Sequence, residues 1–168
     1  KRAAFLDQME EEIRTYEAQN KTGNQVLDTI LTSKSLYCPR PKIALTCVAD
    51  GTLLNFVEPM DLSAVFGNAL DNAIAACRSS DGAQAIRISG KQQGDFYMLT
   101  FENTCFDGPL PPAGTGLSNI RAVAEKYHGA VLTEKNGRWF SLSVLLNITW
   151  RAVTTYAESC RAATKGPR

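Results

Sequence analysis

The sequence predicts an α+β fold: a two-layer sandwich in which a mixed sheet is covered on one face by helices, preceded by one amphipathic helix. Three observations predict it. Apolar residues recur at helical spacing over 62–77. Strands come in pairs joined by short polar turns, over 85–103 and 130–148. Helices stand between the pairs and do not alternate with single strands, so no strand–helix–strand series of the dinucleotide-binding kind is expected. With 168 residues, 44% hydrophobic and 21% charged, the chain can bury one core of ordinary size.

The elements follow in order. Residues 2–18 set Phe5, Leu6, Met9, Ile13 and Tyr16 on one narrow stripe, with Glu10, Glu11, Glu12 and Arg14 elsewhere on the cylinder. After "NKTGN", Thr22 followed by Gln25 matches a capping box, opening a helix through Val26, Leu27, Ile30 and Leu31 that the prolines of "CPRPK" end. Residues 42–49 alternate as a strand does, and "DGT" reads as a turn. Asp61, after Pro59, reads as the N-cap of a helix carrying Leu62, Val65, Phe66, Ala69, Leu70, Ala73, Ile74 and Cys77. "SSDG" stops it. Strands at 85–90 and 96–103 flank the turn "KQQGD". The Gly/Pro-rich loop "CFDGPLPPAGTG" leads into a helix with Leu117, Ile120, Val123, Ala124 and Tyr127, which "HG" closes before strands at 130–134 and 138–148. The tail 149–168 sets Arg151, Arg161, Lys165 and Arg168 against Glu158 alone, and is expected to be weakly ordered or helical.

Composition excludes some functions. Lys+Arg 18 against Asp+Glu 17 leaves no net field to favour nucleic acid or an acidic membrane. The five cysteines Cys38, Cys47, Cys77, Cys105 and Cys160 form no CxxC pair and read as small buried hydrophobes in a reducing compartment. No apolar run approaches the roughly 18 residues of a spanning helix, and there is no signal-peptide pattern. The chain starts without Met, so a fragment of something longer is expected.

Three features carry candidate chemistry. On the helix over 61–77, Asn68 and Asn72 stack one turn apart on the flank of the apolar stripe. Ala64, Ala75 and Ala76 wall them, and no Lys, Glu or Arg lies between Asp61 and Arg78. Asparagine is a poor helix-interior residue, so the pair needs a reason. One reason is a flank kept short for a ligand, where a neutral amide oxygen suits Mg²⁺; the other is a polar helix edge bonded to a neighbouring loop. Gly114 and Gly116 precede a helix whose free N–H groups and positive dipole end favour an anion, although a flexible loop entering a helix leaves the same pattern. Period-2 alternation puts Leu99, Phe101 and Asn103 on one strand face, where a carboxamide can meet the edge of a purine. A strand-end Asn that starts a turn accounts for that residue equally.

Together, "FGNALDNAIAAC", a hairpin ending in an amide, and "GTGLSNIRAVAEKYHG" resemble the GHKL ATPases, which comprise sensor histidine kinases, type II topoisomerase ATPase subunits, MutL-like repair proteins and related chaperones. Within them the sequence is most similar to histidine kinases of the Agr-type peptide-quorum-sensing group, with "TGNQVLDTILTSK" also matching; the likeness spans roughly residues 1–148. The resemblance implies a Bergerat-type ATP-binding fold over 21–148, with residues 1–20 as the second helix of a dimerisation hairpin and 149–168 as a basic tail. It implies ATP and Mg²⁺ as cofactors. Asn72 would hold the Mg²⁺ that bridges the phosphates, Asn68 would line the same site, and Asn103 would stand where many relatives carry the Asp that reads the adenine amine. Gly114 and Gly116 would hinge a short lid over 104–113. The resemblance implies a homodimer through the N-terminal helix, a response regulator as partner, and a cytoplasmic domain anchored to a membrane only through segments of a parent protein.

The sequence departs from the family pattern in three places. "NTCFD" replaces Asp-x-Gly-x-Gly, a change of Asp to Asn that the Agr-type group tends to share. Ala75 and Ala76 stand where many kinases carry a basic residue, which Arg78 could replace. The only histidine, His128, ends a helix and reads as structural, so the phosphoacceptor is expected outside this chain. The resulting expectation is the catalytic domain of a histidine kinase that donates the γ-phosphoryl of Mg·ATP to that histidine. Asn68 stands where hydrolytic relatives place a Glu, which argues for transfer over hydrolysis. The alternatives are a degenerate GHKL nucleotide-binding regulator without kinase activity and an anti-sigma-type serine kinase.

Overall fold

The computed structural model describes residues 21–37, 43–110 and 112–149, together with residue 6. The expected helix over 2–18 (residue 6 apart), the "CPRPK" stop and the tail beyond residue 149 lie outside the described residues. Helix α1 spans Gln25–Tyr37, β1 Ile43–Val48, and a 3₁₀ turn Gly51–Leu54. Helix α2 spans Pro59–Arg78, β2 Gln84–Gln93 and β3 Phe96–Thr104. Helix α3 spans Thr115–Lys126, β4 Ala130–Asn136 and β5 Trp139–Asn147.

Two helix starts differ from expectation. At α1 the cap is Asn24, whose Oδ1 accepts the Leu27 N–H at 3.1 Å, and not a box of Thr22 and Gln25. Thr22 sits a step outside the helix, beyond the left-handed Gly23, and both its N–H and its hydroxyl donate to Asp28 Oδ1 at 2.7 Å. At α2 the N-cap is Glu58 and not Asp61. Pro59 needs no N–H partner and its fixed φ suits the first helical position, so the helix begins before Asp61. The Asp61 carboxylate remains near the positive helix end and accepts from the Tyr127 hydroxyl at 2.6 Å and Lys126 Nζ at 2.7 Å.

The five strands form one mixed sheet in the order β1-β2-β3-β5-β4. β2–β3, β3–β5 and β4–β5 are antiparallel, with Phe101 opposite both Ile88 and Leu142. β1 runs parallel to β2, Ile43 facing Gln84 through Val48 facing Ser89. A parallel pair needs a crossover, and α2 supplies it. The chain thus contains one strand–helix–strand unit that hairpin patterning does not predict, because strand pairing is decided by residues far apart in sequence.

The helices cover the sheet face that carries Ile86, Ile88, Tyr97, Leu99, Phe101, Leu142, Val144 and Leu146. The buried positions of α2, from Leu62 through Cys77, are those of the expected stripe. Phe66 meets Phe101 edge-on, ring centroids 5.1 Å apart, which ties α2 to the middle of the sheet. Burying such a ring contributes about 1.5–3 kcal/mol. Behind α3, a Cβ at Gly129 would fall 1.7 Å from the Leu145 carbonyl oxygen, so only glycine lets the chain pass β5 there. His128, at φ 50°, reverses the backbone after α3, and its N–H donates to Glu125 O at 3.0 Å, a helix-end role as expected. On the opposite sheet face, Arg87 stacks over the Trp139 ring at 4.6 Å.

Candidate functional site

A cavity of about 530 Å³ opens between the flank of α2, the ends of β3 and β5, strand β4, the loop after β3, and the start of α3. Of the alanines expected to keep that flank short, Ala75 and Ala76 line the cavity, with Ser79 and Ala69 of the buried stripe beside them, whereas Ala64 does not. Asn72, one residue off the buried stripe, lines the opening. Asn68 lies one turn earlier, its Nδ2 donating to Ala64 O at 2.7 Å, which leaves its Oδ1 directed away from its own helix.

The two asparagines meet the start of α3. A Cβ on Gly116 would lie 3.2 Å from Asn68 Oδ1 and 3.4 and 3.5 Å from the Asn72 amide atoms, so a side chain there would press on both carboxamides. Gly114, which also lines the cavity, is the N-cap of α3 and offers no side-chain acceptor. Helix geometry leaves the N–H groups of that first turn without intrahelical partners, at the positive end of the dipole.

Asn103 closes the cavity floor with 2% exposure. Its Nδ2 donates to Thr104 O at 3.0 Å. One of the two amide N–H donors is thereby used, and among the described residues no donor reaches Oδ1, a buried acceptor on a residue that lines the cavity. The Thr104 carbonyl also accepts from the Cys77 thiol at 3.4 Å, and Thr104 Oγ1 accepts the Ala85 N–H at 3.1 Å. Burial pushes the Cys77 thiol up from its ordinary value, so it stays protonated and donates.

All five expected residues therefore belong to one neighbourhood. Asn72, Asn103 and Gly114 line the cavity, while Asn68 and Gly116 pack together at its edge. Arg78 does not line it. The cations that do, Arg121 on α3 and Lys135 on β4, were missed from the sequence. Lys135 left a signal, since it shares the inward phase of β4 with Thr133 and Val131, an odd place for a charge; Arg121, one turn after Leu117, looks like any exposed helix cation. Among the described residues no Asp or Glu lines the cavity. Its apolar surface comes from Phe101, Phe140, Leu142 and Leu117 below, with Phe106, Pro109 and Leu110 of the loop above. Such a site suits a ligand with a flat apolar part, a donor at one edge and an anionic end.

No curated protein matches the sequence. Among solved structures, the catalytic domain of histidine kinase ThkA superposes with TM-score 0.60 at 15% identity, over 73% of this chain and 91% of that one. The Acinetobacter baumannii histidine kinase AdeS gives 0.58 at 14%, over 87% and 83%. The Erythrobacter litoralis blue-light activated histidine kinase gives 0.61 at 14%, over 75% of this chain and 42% of that one. At these identities the likeness is one of fold, and the fold is that of histidine kinase catalytic domains. Among the described residues no helix is long and apolar enough to cross a membrane. The family model described as "GHKL domain" matches residues 57–109 and 111–147, which hold α2, the sheet from β2 onward and the whole cavity wall, and the chain belongs to the GHKL domain family.

Proposed function

We propose that this domain binds Mg·ATP and donates the γ-phosphoryl group to a histidine outside the chain, as the catalytic domain of a two-component sensor histidine kinase of the Agr-type group. The observation that carries the proposal is the buried Oδ1 of Asn103, an acceptor that no donor reaches among the described residues, on the wall of a cavity whose charged lining residues, among those described, are the cations Arg121 and Lys135. The adenine 6-amino group is a donor of the kind this oxygen lacks, whereas guanine would present an acceptor to it. An Asn held this way does the work of the family's Asp with no negative charge.

The remaining residues fit the polyanionic end of the ligand. The first-turn N–H groups of α3 and the side chains of Arg121 and Lys135 supply positive potential. Among the described residues no cluster of His, Cys, Asp or Glu could hold a metal, so a cation would arrive with the phosphate oxygens as most of its ligands, and the neutral oxygen of Asn72 would complete the set. Mg²⁺, when bound, neutralises charge on the phosphates. Asn68, tied to Ala64, supports Asn72 and the Gly116 turn from behind. Phosphoryl transfer of this type rests on positioning and electrostatic stabilisation. With Asn at 68 and no carboxylate among the described residues of the cavity wall, no described group there can activate water as a base, which favours transfer over hydrolysis. Dimerisation through the N-terminal helix, a response regulator as acceptor partner, and membrane attachment through a parent protein complete the proposal.

Titration calorimetry with a non-hydrolysable Mg·ATP analogue tests it. Saturable binding with Kd below about 1 mM is expected, with the GTP counterpart at least about tenfold weaker, a difference of ~1.4 kcal/mol. Absence of binding at millimolar nucleotide sinks the kinase reading and leaves the degenerate regulator.

A further inference from the structure

Three of the cysteines lie in the described part of the molecule, and they differ in what surrounds them. The Cys77 thiol is fully buried beneath the sheet ends and donates to the Thr104 and Ala85 carbonyls at 3.4 and 3.6 Å. Cys47, on β1, is pushed up to about 11 by burial, with the Asp28 carboxylate adding to the effect. Both thiols are held in the unreactive protonated form. Cys105 is only 6% exposed, yet it lines the cavity, two residues beyond Asn103. Its N–H donates to Arg138 O at 2.8 Å, which fixes the backbone, and among the described residues no hydrogen bond reaches its Sγ. The buried Oδ1 of Asn103, which no donor reaches among the described residues, marks this end of the cavity as a place for a ligand, independently of the thiol.

We propose that Cys105 is a covalent modification site inside the ligand cavity, open to small soft electrophiles such as α,β-unsaturated carbonyls, and that its adduct and the nucleotide exclude each other. The exclusion rests on the nucleotide reading above. In the reaction the Cys105 sulfur attacks the β-carbon and forms an S–C bond. The alkene π pair moves to the α-carbon, which takes up the proton the thiol releases, so no group leaves and no oxidant is needed. The adduct then fills space beside Asn103 Oδ1, where the flat part of the ligand would lie. Cys105 is 6% exposed and lines the cavity, and in this proposal the electrophile enters through the cavity.

N-ethylmaleimide on the 168-residue chain, with adducts mapped by peptide mass spectrometry, tests the proposal. Cys105 is expected to be labelled ahead of the fully buried Cys77. With Mg·ATP at about ten times its Kd, labelling should slow about tenfold, in proportion to the free fraction of the protein. The labelled chain should lose ATP binding by calorimetry, while in Cys105→Ser, whatever its own affinity, treatment should no longer change that affinity. Labelling of Cys105 only in denaturant, labelling at an unchanged rate in protein shown to bind ATP, or loss of binding that persists in treated Cys105→Ser each overturn the proposal while leaving the nucleotide reading standing. Untreated protein that binds no ATP fails the nucleotide reading first, and the exclusion falls with it.

Discussion

The two ends of helix α3 treat polar groups in opposite ways. At its C-terminal end they are paired with one another. The Tyr127 hydroxyl donates to Asp61 at 2.6 Å and accepts the Glu58 N–H at 2.9 Å, and Lys126 bonds the same Asp61 carboxylate. At its N-terminal end the polar groups border a cavity: Gly114, the N-cap of a helix with no side-chain cap, then Asn72, and also Asn103, whose oxygen no donor reaches among the described residues. The packed end fastens α3 to the start of α2. The open end carries Asn103 Oδ1, which no donor reaches among the described residues, and a helix N-terminus with no side-chain cap. Unsatisfied buried polar groups cost stability unless something binds them, so the contrast separates residues kept for the fold from residues kept for a ligand.

The largest expected effect is at the open end. Asn72→Ala should weaken Mg·ATP binding by about 100-fold or more, ~2.7 kcal/mol, and leave the melting temperature unchanged, since Asn72 lies beside the core stripe. Retained affinity in calorimetry would show that the metal assignment to Asn72 is wrong. Next comes the packed end. Tyr127→Phe removes one donor from Asp61, which keeps Lys126, and the hydroxyl that accepts the Glu58 N–H, and should cost about 1–3 kcal/mol in denaturant unfolding with no change in nucleotide affinity. A variant that keeps its stability but loses ATP would show that the two ends are not separable.

Arg121→Ala should weaken ATP binding about tenfold, ~1.4 kcal/mol, with the loss shrinking in added salt because the side chain is exposed. An effect that salt leaves unchanged would point to packing against Leu117 instead of charge. The smallest effect is the response to pH. Tyr127 is raised above its ordinary value of 10.0, first by burial and then by the Asp61 carboxylate. A raised folded-state value means the stabilising contribution is complete below pH 10 and is lost as pH rises through the folded value. Melting curves should fall more steeply above pH 10 in the parent than in Tyr127→Phe; parallel curves would remove Tyr127 from the account.

Much of this architecture is written locally. Helix α2 is legible because its eight buried residues keep a 3.6-residue period, and β3 because Leu99, Phe101 and Asn103 keep a period of two. The flank position of Asn68 and Asn72 follows from the same helical arithmetic, and the break at "HG" from the conformations those residues allow. Helix starts were less legible, since Asp61 and Thr22 are good caps by type, and only the neighbouring Tyr127 and Asp28 decide what they bond.

By itself, then, the sequence determined the elements, their buried faces and the clearing of one helix flank, because each depends on residues within a few turns of one another. Only the tertiary structure decided what fills that clearing. The parallel pairing of β1 with β2 and the approach of Gly116 to Asn68 and Asn72 join residues dozens of positions apart. The same holds for Lys135 and Arg121 lining a cavity with Asn72. Asn103 shows the difference most plainly: periodicity turned it inward, but the Thr104 carbonyl, which the Cys77 thiol also bonds, decided that its nitrogen is paired while no donor among the described residues reaches its oxygen.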